Sequence, residues 1–133
     1  MKKLLHILLG LIIVLCLGAC GEIIPGNDID ESKLYGKWQE GSVFERYYEN
    51  PIERVLITGD TVQANGTTWD ESDDVSEDEA QLFNWTLTGS TLKHEHVGTF
   101  VTVPKIYTVT SLTSSTLVYQ DNFGVTHQFS KVE

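Results

Sequence analysis

The chain is poor in cysteine and in positive charge, and it lacks an apolar run long enough to cross a membrane. Only Cys16 and Cys20 occur among its 133 residues. They are no basis for the multi-bridge framework that staples small secreted domains. Lys and Arg number 9 against 19 Asp and Glu, a balance that argues against a nucleic-acid partner and against a charge-driven hold on anionic lipid. The longest apolar run, Leu4 to Leu17, is interrupted by His6 and Gly10 and falls short of the ~20 residues a spanning helix needs. Catalytic signatures are missing too: no serine sits in Gly-x-Ser-x-Gly and no Gly-rich phosphate loop is present. The chain reads as a non-enzyme, with no cofactor expected.

The N-terminus has the layout of a secretory signal. Lys2 and Lys3 precede the apolar run, and the small residues Gly18 and Ala19 precede Cys20. Leu17-Gly18-Ala19-Cys20 resembles the bacterial lipobox. An ordinary signal cut elsewhere is the weaker alternative, because no A-x-A pattern competes. The resemblance implies diacylglyceryl transfer to the Cys20 thiol and cleavage before it. Residues 1–19 are then a lipoprotein signal peptide, Cys16 leaves with them, and Cys20 is the lipidation site and membrane anchor. Stable anchoring takes more than one acyl chain. With Lys2 and Lys3 removed, 7 basic residues face 19 acidic ones, a net charge of −12. Gly21 and Glu22 follow Cys20 with no adjacent Asp, which favours a cell-envelope location at the outer membrane. Gly21 to Ile29 reads as a tether that reaches at most ~30 Å. Residues 20–33 are thus lipidated Cys, tether and a short helical turn, with Asp28 as its N-cap before Ile29 to Leu34. Residues 34–133 form a single domain.

That domain is β in character. Thr and Val are abundant, and no window sustains a 3.6-residue period. Eight runs are expected as strands: Lys37–Tyr48, Glu53–Thr58, Thr61–Trp69, Gln81–Thr88, Thr91–Val97, Thr99–Leu112, Thr116–Gln120 and Val125–Val132. Short links such as Gly59-Asp60 and Gly89-Ser90 favour antiparallel hairpins between successive strands. The expected fold is all-β, an eight-stranded antiparallel up-and-down barrel behind a short N-terminal helical turn. An open sandwich is the alternative.

Gly36-Lys37-Trp38, preceded by "DESKLY", resembles the opening of the lipocalin and calycin group. The interior Phe83-Asn84-Trp85-Thr86-Leu87 and the segment Leu117 to Gly124 ending at Phe129 resemble small lipocalin-like lipoproteins of Bacteroidetes. The resemblance implies that Trp38 closes the narrow end of a barrel. Lys131 is the nearest counterpart of the Arg that packs over that Trp. It also implies a carried molecule, small and apolar or amphipathic, touching Trp38, Phe83, Trp85, Leu87, His94, His96, Tyr119 and Phe129. The Thr-Asp-Tyr signature of true lipocalins is absent, and the chain is shorter than theirs. Phe83, Trp85 and Leu87 alternate with Asn84, Thr86 and Thr88, a pattern that suits a filled core as well as a cavity wall.

"LKHEHVG" places His94 and His96 on one strand face with Leu92, and Glu95 on the other with Lys93. His127 shares a face with Val125 and Phe129. A His-x-His pair plus a third His is a spacing zinc can use. Against it, the fifth and eighth strands are not neighbours in a meander, so metal binding at His94, His96 and His127 is only a weak candidate. Seven carboxylates lie between Asp70 and Glu79, but the Gly required at position six of an EF-hand is missing, and a solvated, self-repelling loop is the default. That loop suggests the other class of function: a filled barrel that docks a basic protein, such as a lysozyme-like enzyme, as an inhibitor. Arg46 is expected to face inward with Phe44. The domain is read as a monomer.

Overall fold

The computed structural model describes residues 29–98 and 103–133. The expected signal peptide, Cys20, nearly all of the tether and the Asp28 cap lie outside these residues, as does the start of the sixth run at Thr99. Eight strands follow in chain order: β1 Gly36–Glu40, β2 Val43–Val55, β3 Thr61–Asp70, β4 Gln81–Thr88, β5 Thr91–His96, β6 Lys105–Leu112, β7 Thr116–Gln120 and β8 Thr126–Lys131. Each pairs antiparallel with its successor in one ring-like sheet. β8 returns to β1 with Lys131 opposite Trp38 and Ser130 opposite Gln39, so backbone groups that an open sheet would leave at its edges are paired.

The strand count agrees with the sequence reading, but the first division falls elsewhere. Lys37–Tyr48, expected as one strand, is a hairpin. Gly41, at φ +59°, and Ser42 reverse the chain between β1 and β2, a left-handed position that glycine takes without steric cost. Conversely, Glu49 to Ile52, expected as a connection, lies inside β2. Pairing with β3 slips between Tyr47 and Ile52, and Pro51, which has no N–H to donate, is tolerated at such an irregularity.

Beyond the slip, the β2–β3 hairpin departs from its neighbours. The β3–β4 ladder ends at Gly66 opposite Phe83. There the Asn65 side chain takes over the pairing, donating to Trp85 O at 3.1 Å and accepting from Trp85 N at 2.8 Å. The far half of the hairpin comes back against the outside of the ring, where Arg54 donates to Ala80 O and Leu56 reaches Gly98. Leu82 faces outward, opposite in parity to Phe83, and is buried nonetheless. Gly66 is needed for a different reason: a Cβ there would lie 2.3 Å from the Phe83 ring.

One end of the ring is closed. The helical turn expected before Leu34 is a single 3-10 turn, Glu31–Lys33, capped by Asp30, whose side chain accepts from Ser32 N. Leu34 and Trp38 are fully buried, and Trp38 Nε1 donates to Leu34 O at 2.8 Å, satisfying the indole's one polar group. Lys131 Nζ stands 5.3 Å from the Trp38 ring centroid. Gly36 has φ +128°, and a Cβ on it would fall 2.4 Å from Glu133 O. Trp85, Leu92, Leu117 and Phe129 complete this plug. Burying a side chain of this size is worth roughly 1.5–3 kcal/mol, so these residues contribute a substantial share of the ring's stability.

Candidate functional site

Toward the opposite end the interior turns polar. β2 points Glu45 and Tyr47 inward, β5 His94, β6 Tyr107 and β7 Tyr119. Glu45 is only 6% exposed and His94 only 2%. The Glu45 carboxylate accepts from Tyr47 Oη at 2.5 Å and from Tyr119 Oη at 2.7 Å, the short range of hydroxyl donors on a charged acceptor. Tyr47 Oη also lies 2.9 Å from His94 Nε2. With Glu45 ionised, the Tyr47 proton goes to Glu45 and His94 donates from Nε2.

The electrostatics follow from burial. Desolvation pushes Glu45 above the usual carboxylate range, opposed by the two tyrosine hydrogen bonds. Desolvation likewise holds His94 down to about 3 and lowers His96, with Lys105 adding to the effect. Tyr47 and Tyr119 are raised, by burial first and the Glu45 charge second, and Tyr107 is raised to about 12. The tyrosines therefore act as neutral donors throughout the physiological range. Among the described residues Glu45 forms no ion pair.

Above this cluster lies a cavity of about 440 Å³, walled by Glu45, His94, His96, Lys105 and Tyr107, with Asp70, Asp73 and Glu79 also on its wall. The structure sorts the eight sequence-expected contact residues into two groups. His94 and His96 line the cavity. Trp38, Phe83, Trp85, Tyr119 and Phe129 belong to the packed core, and Leu87 packs against it. The expectation that these six would line a cavity is corrected: facing inward from a narrow ring, bulky rings fill it. Phe83 stacks on His94 at 4.2 Å, Tyr47 meets Trp85 edge-on at 5.6 Å, and Tyr119 lies 5.3 Å from Phe129.

The three histidines face inward but are not gathered. The rings of Tyr107 and Tyr119 stand between His94 and His127. His127 is held by Glu40 at 2.9 Å and Asp121 at 3.3 Å, with the hydrogen bond to Glu40 the main reason its pKa is raised. Among the described residues no group of three His, Cys, Asp or Glu is placed to hold a metal ion. Glu95 does point away, paired with Lys93 at 2.8 Å.

Outside the ring, the acidic segment is partly pinned rather than simply solvated. Phe44 and Trp69 stack at 5.2 Å and 9°, with Ala80 and Val75 against them. Lys37 Nζ stands 5.0 Å from the Phe44 ring and 3.6 Å from Glu77, which also binds Arg46 at 2.6 Å. Arg46 thus faces outward, contrary to expectation, and takes Glu133 as a second partner at 2.8 Å. Phe44 faces outward with it because the segment supplies an apolar cover on that side.

Sequence reasoning missed Glu45, Lys105 and Tyr107. A signal for Glu45 exists: with a turn at Gly41-Ser42, Trp38 pairs directly with Glu45, and an inward Trp38 forces an inward Glu45. No protein-family model, no curated protein and no solved structure matches the chain.

Proposed function

We propose that this is a lipid-anchored cell-envelope lipoprotein whose ring is a lipocalin-like barrel, and that it binds a small amphipathic molecule at the open end. The observation that carries the binding reading is the open-mouthed cavity of about 440 Å³ ending on a buried polar floor, a concave space with few convergent polar groups of the kind that marks ligand sites. A wholly apolar guest is the poorer fit, because the apolar interior is occupied by Trp38, Phe83 and Phe129. The lipocalin-like reading is supported by the Gly36 approach to the chain end and by Lys131 over Trp38. The anchor rests on the sequence Leu17-Gly18-Ala19-Cys20.

Native mass spectrometry of the protein released from its host envelope tests the binding reading. A mass that disappears on denaturation, beyond the lipid on Cys20, is the expected result. A bare native mass after incubation with envelope extract would count against it. Cys20→Ala should abolish metabolic labelling with an alkyne fatty acid; labelling that persists would sink the anchor.

The alternative, an interaction module acting on a basic protein, draws on Glu71, Asp73, Asp74 and Asp78, which are exposed. It predicts salt-sensitive capture of that partner. Neutralising Asp73 and Asp74 should weaken the capture, and an unchanged level would remove the acidic-surface version.

A further inference from the structure

We infer that the open-end cavity selects a protonated amine, with the ammonium group donating to Glu45. The inference rests on the ligand-binding reading and names the chemical class of the ligand.

The argument is one of hydrogen-bond accounting. Glu45 accepts one hydroxyl on each oxygen, and a carboxylate has about four lone-pair sites, so acceptor capacity is left on a side chain that also borders the cavity. Among the described residues His96 Nδ1 is buried without a partner, so the deep wall holds a further polar atom that a guest can meet.

Charge points the same way. Glu45 is a buried carboxylate with no ion-pair partner among the described residues, a costly arrangement until a cation completes it. The nearest imidazole contributing a favourable charge is His127, which itself faces Glu40 and Asp121. Among the described residues on the wall, Lys105 is the one Lys or Arg, against Asp70, Asp73 and Glu79. The Tyr107 ring beside His94 adds an aromatic face, which favours a cation over an anion. A carboxylate or phosphate guest would meet acceptors and like charge.

The test is isothermal titration of the full chain in nanodiscs, with empty discs as blank, against three probes of similar shape: 2-phenylethylamine, 2-phenylethanol and 3-phenylpropanoate. The amine should bind about tenfold tighter than the alcohol, the scale of one charge-assisted hydrogen bond, and the acid should bind weakest. Glu45→Gln should erase the preference for the amine over the alcohol. Because Glu45 is buried, that variant is first checked by circular dichroism and melting. If it does not fold, the exposed pair Asp73→Asn and Glu79→Gln decides: amine affinity should fall and alcohol affinity hold. Alcohol or acid binding as well as the amine would overturn the amine assignment and leave the ligand-binding reading standing. Binding of none of the three, together with a bare native mass, would overturn both.

Discussion

The two ends of the ring use the same architecture for opposite purposes. At the closed end, Leu34, Trp38, Leu92, Leu117 and Phe129 are 0–1% exposed, and the Trp38 indole N–H is met by a backbone carbonyl. At the open end, strands continuing the same alternation bury a carboxylate, an imidazole and two phenols in a mutual network. A core of the first kind gains stability from area removed from water. One of the second kind gains little net, since each polar group must recover in the protein what it gave up in solvent. The open end is therefore the part of the interior where stability is the weaker explanation for the residues present.

Substitution at the closed end should produce the largest effect. Trp38→Ala removes the plug and its bond to Leu34, and should cost about 3–5 kcal/mol in denaturant unfolding, the range for large core aromatics. Lys105→Ala at the open end should stay within about 0.5 kcal/mol, as for surface changes away from special features. Equal costs at both ends would break the comparison.

How far the sequence foretold this contrast depends on the strand. In β4 and β5 the alternation was readable: Phe83 and Trp85 point inward, Asn84 outward, and His94 shares the Leu92 face. In β2 both faces carry bulky residues, because Phe44 is buried outside the ring under the 71–80 segment while Tyr47 is buried inside it. Periodicity alone gives no parity there, and Glu45 stayed hidden with it. The same ambiguity sent Arg46 inward on paper, when its partners are Glu77 and Glu133. A cover contributed by a loop distant in sequence leaves no trace in the local pattern.

A second test sharpens the comparison within the polar network itself. Tyr119→Phe keeps the ring contacts to Phe129 and Tyr107 but deprives Glu45 Oε1 of its donor. The cost should be about 1–3 kcal/mol, the penalty of leaving a buried acceptor unmatched. The variant should also raise the Glu45 pKa further, since one of the bonds that lowers it is gone. A change indistinguishable from zero would mean that Glu45 is already protonated or reached by water.

The network also sets an acid limb. His94 is held down to about 3 in the folded protein by its burial, against about 6.5 for an unperturbed histidine. As pH falls below about 6.5 the unfolded chain takes up a proton that the folded chain refuses until about 3. Stability from this group is thus fully present above the unfolded value and declines through that window. His94→Gln retains an N–H for Tyr47 and does not titrate. It should flatten the decline between pH 6 and pH 4, followed by urea midpoints at fixed salt.

The smallest expected effect has the opposite sign with pH. Glu40 and Asp121 raise the pKa of His127, the hydrogen bond to Glu40 contributing most. A raised histidine binds its proton more tightly folded than unfolded, so its contribution is fully present below about 6.5 and is lost as pH rises through the folded value. The side chains are partly open to solvent, and screened pairs of this kind are worth about 0–1 kcal/mol. A two-dimensional NMR titration should give His127 a midpoint above 6.5 that drops as salt is added, while His94 stays neutral across the same range. His127→Gln should lower stability slightly at pH 6 and leave it unchanged at pH 9. If His127 instead titrated below 6.5, Glu40 and Asp121 would not be stabilising its charged form, and its favourable charge toward Glu45 would be lost.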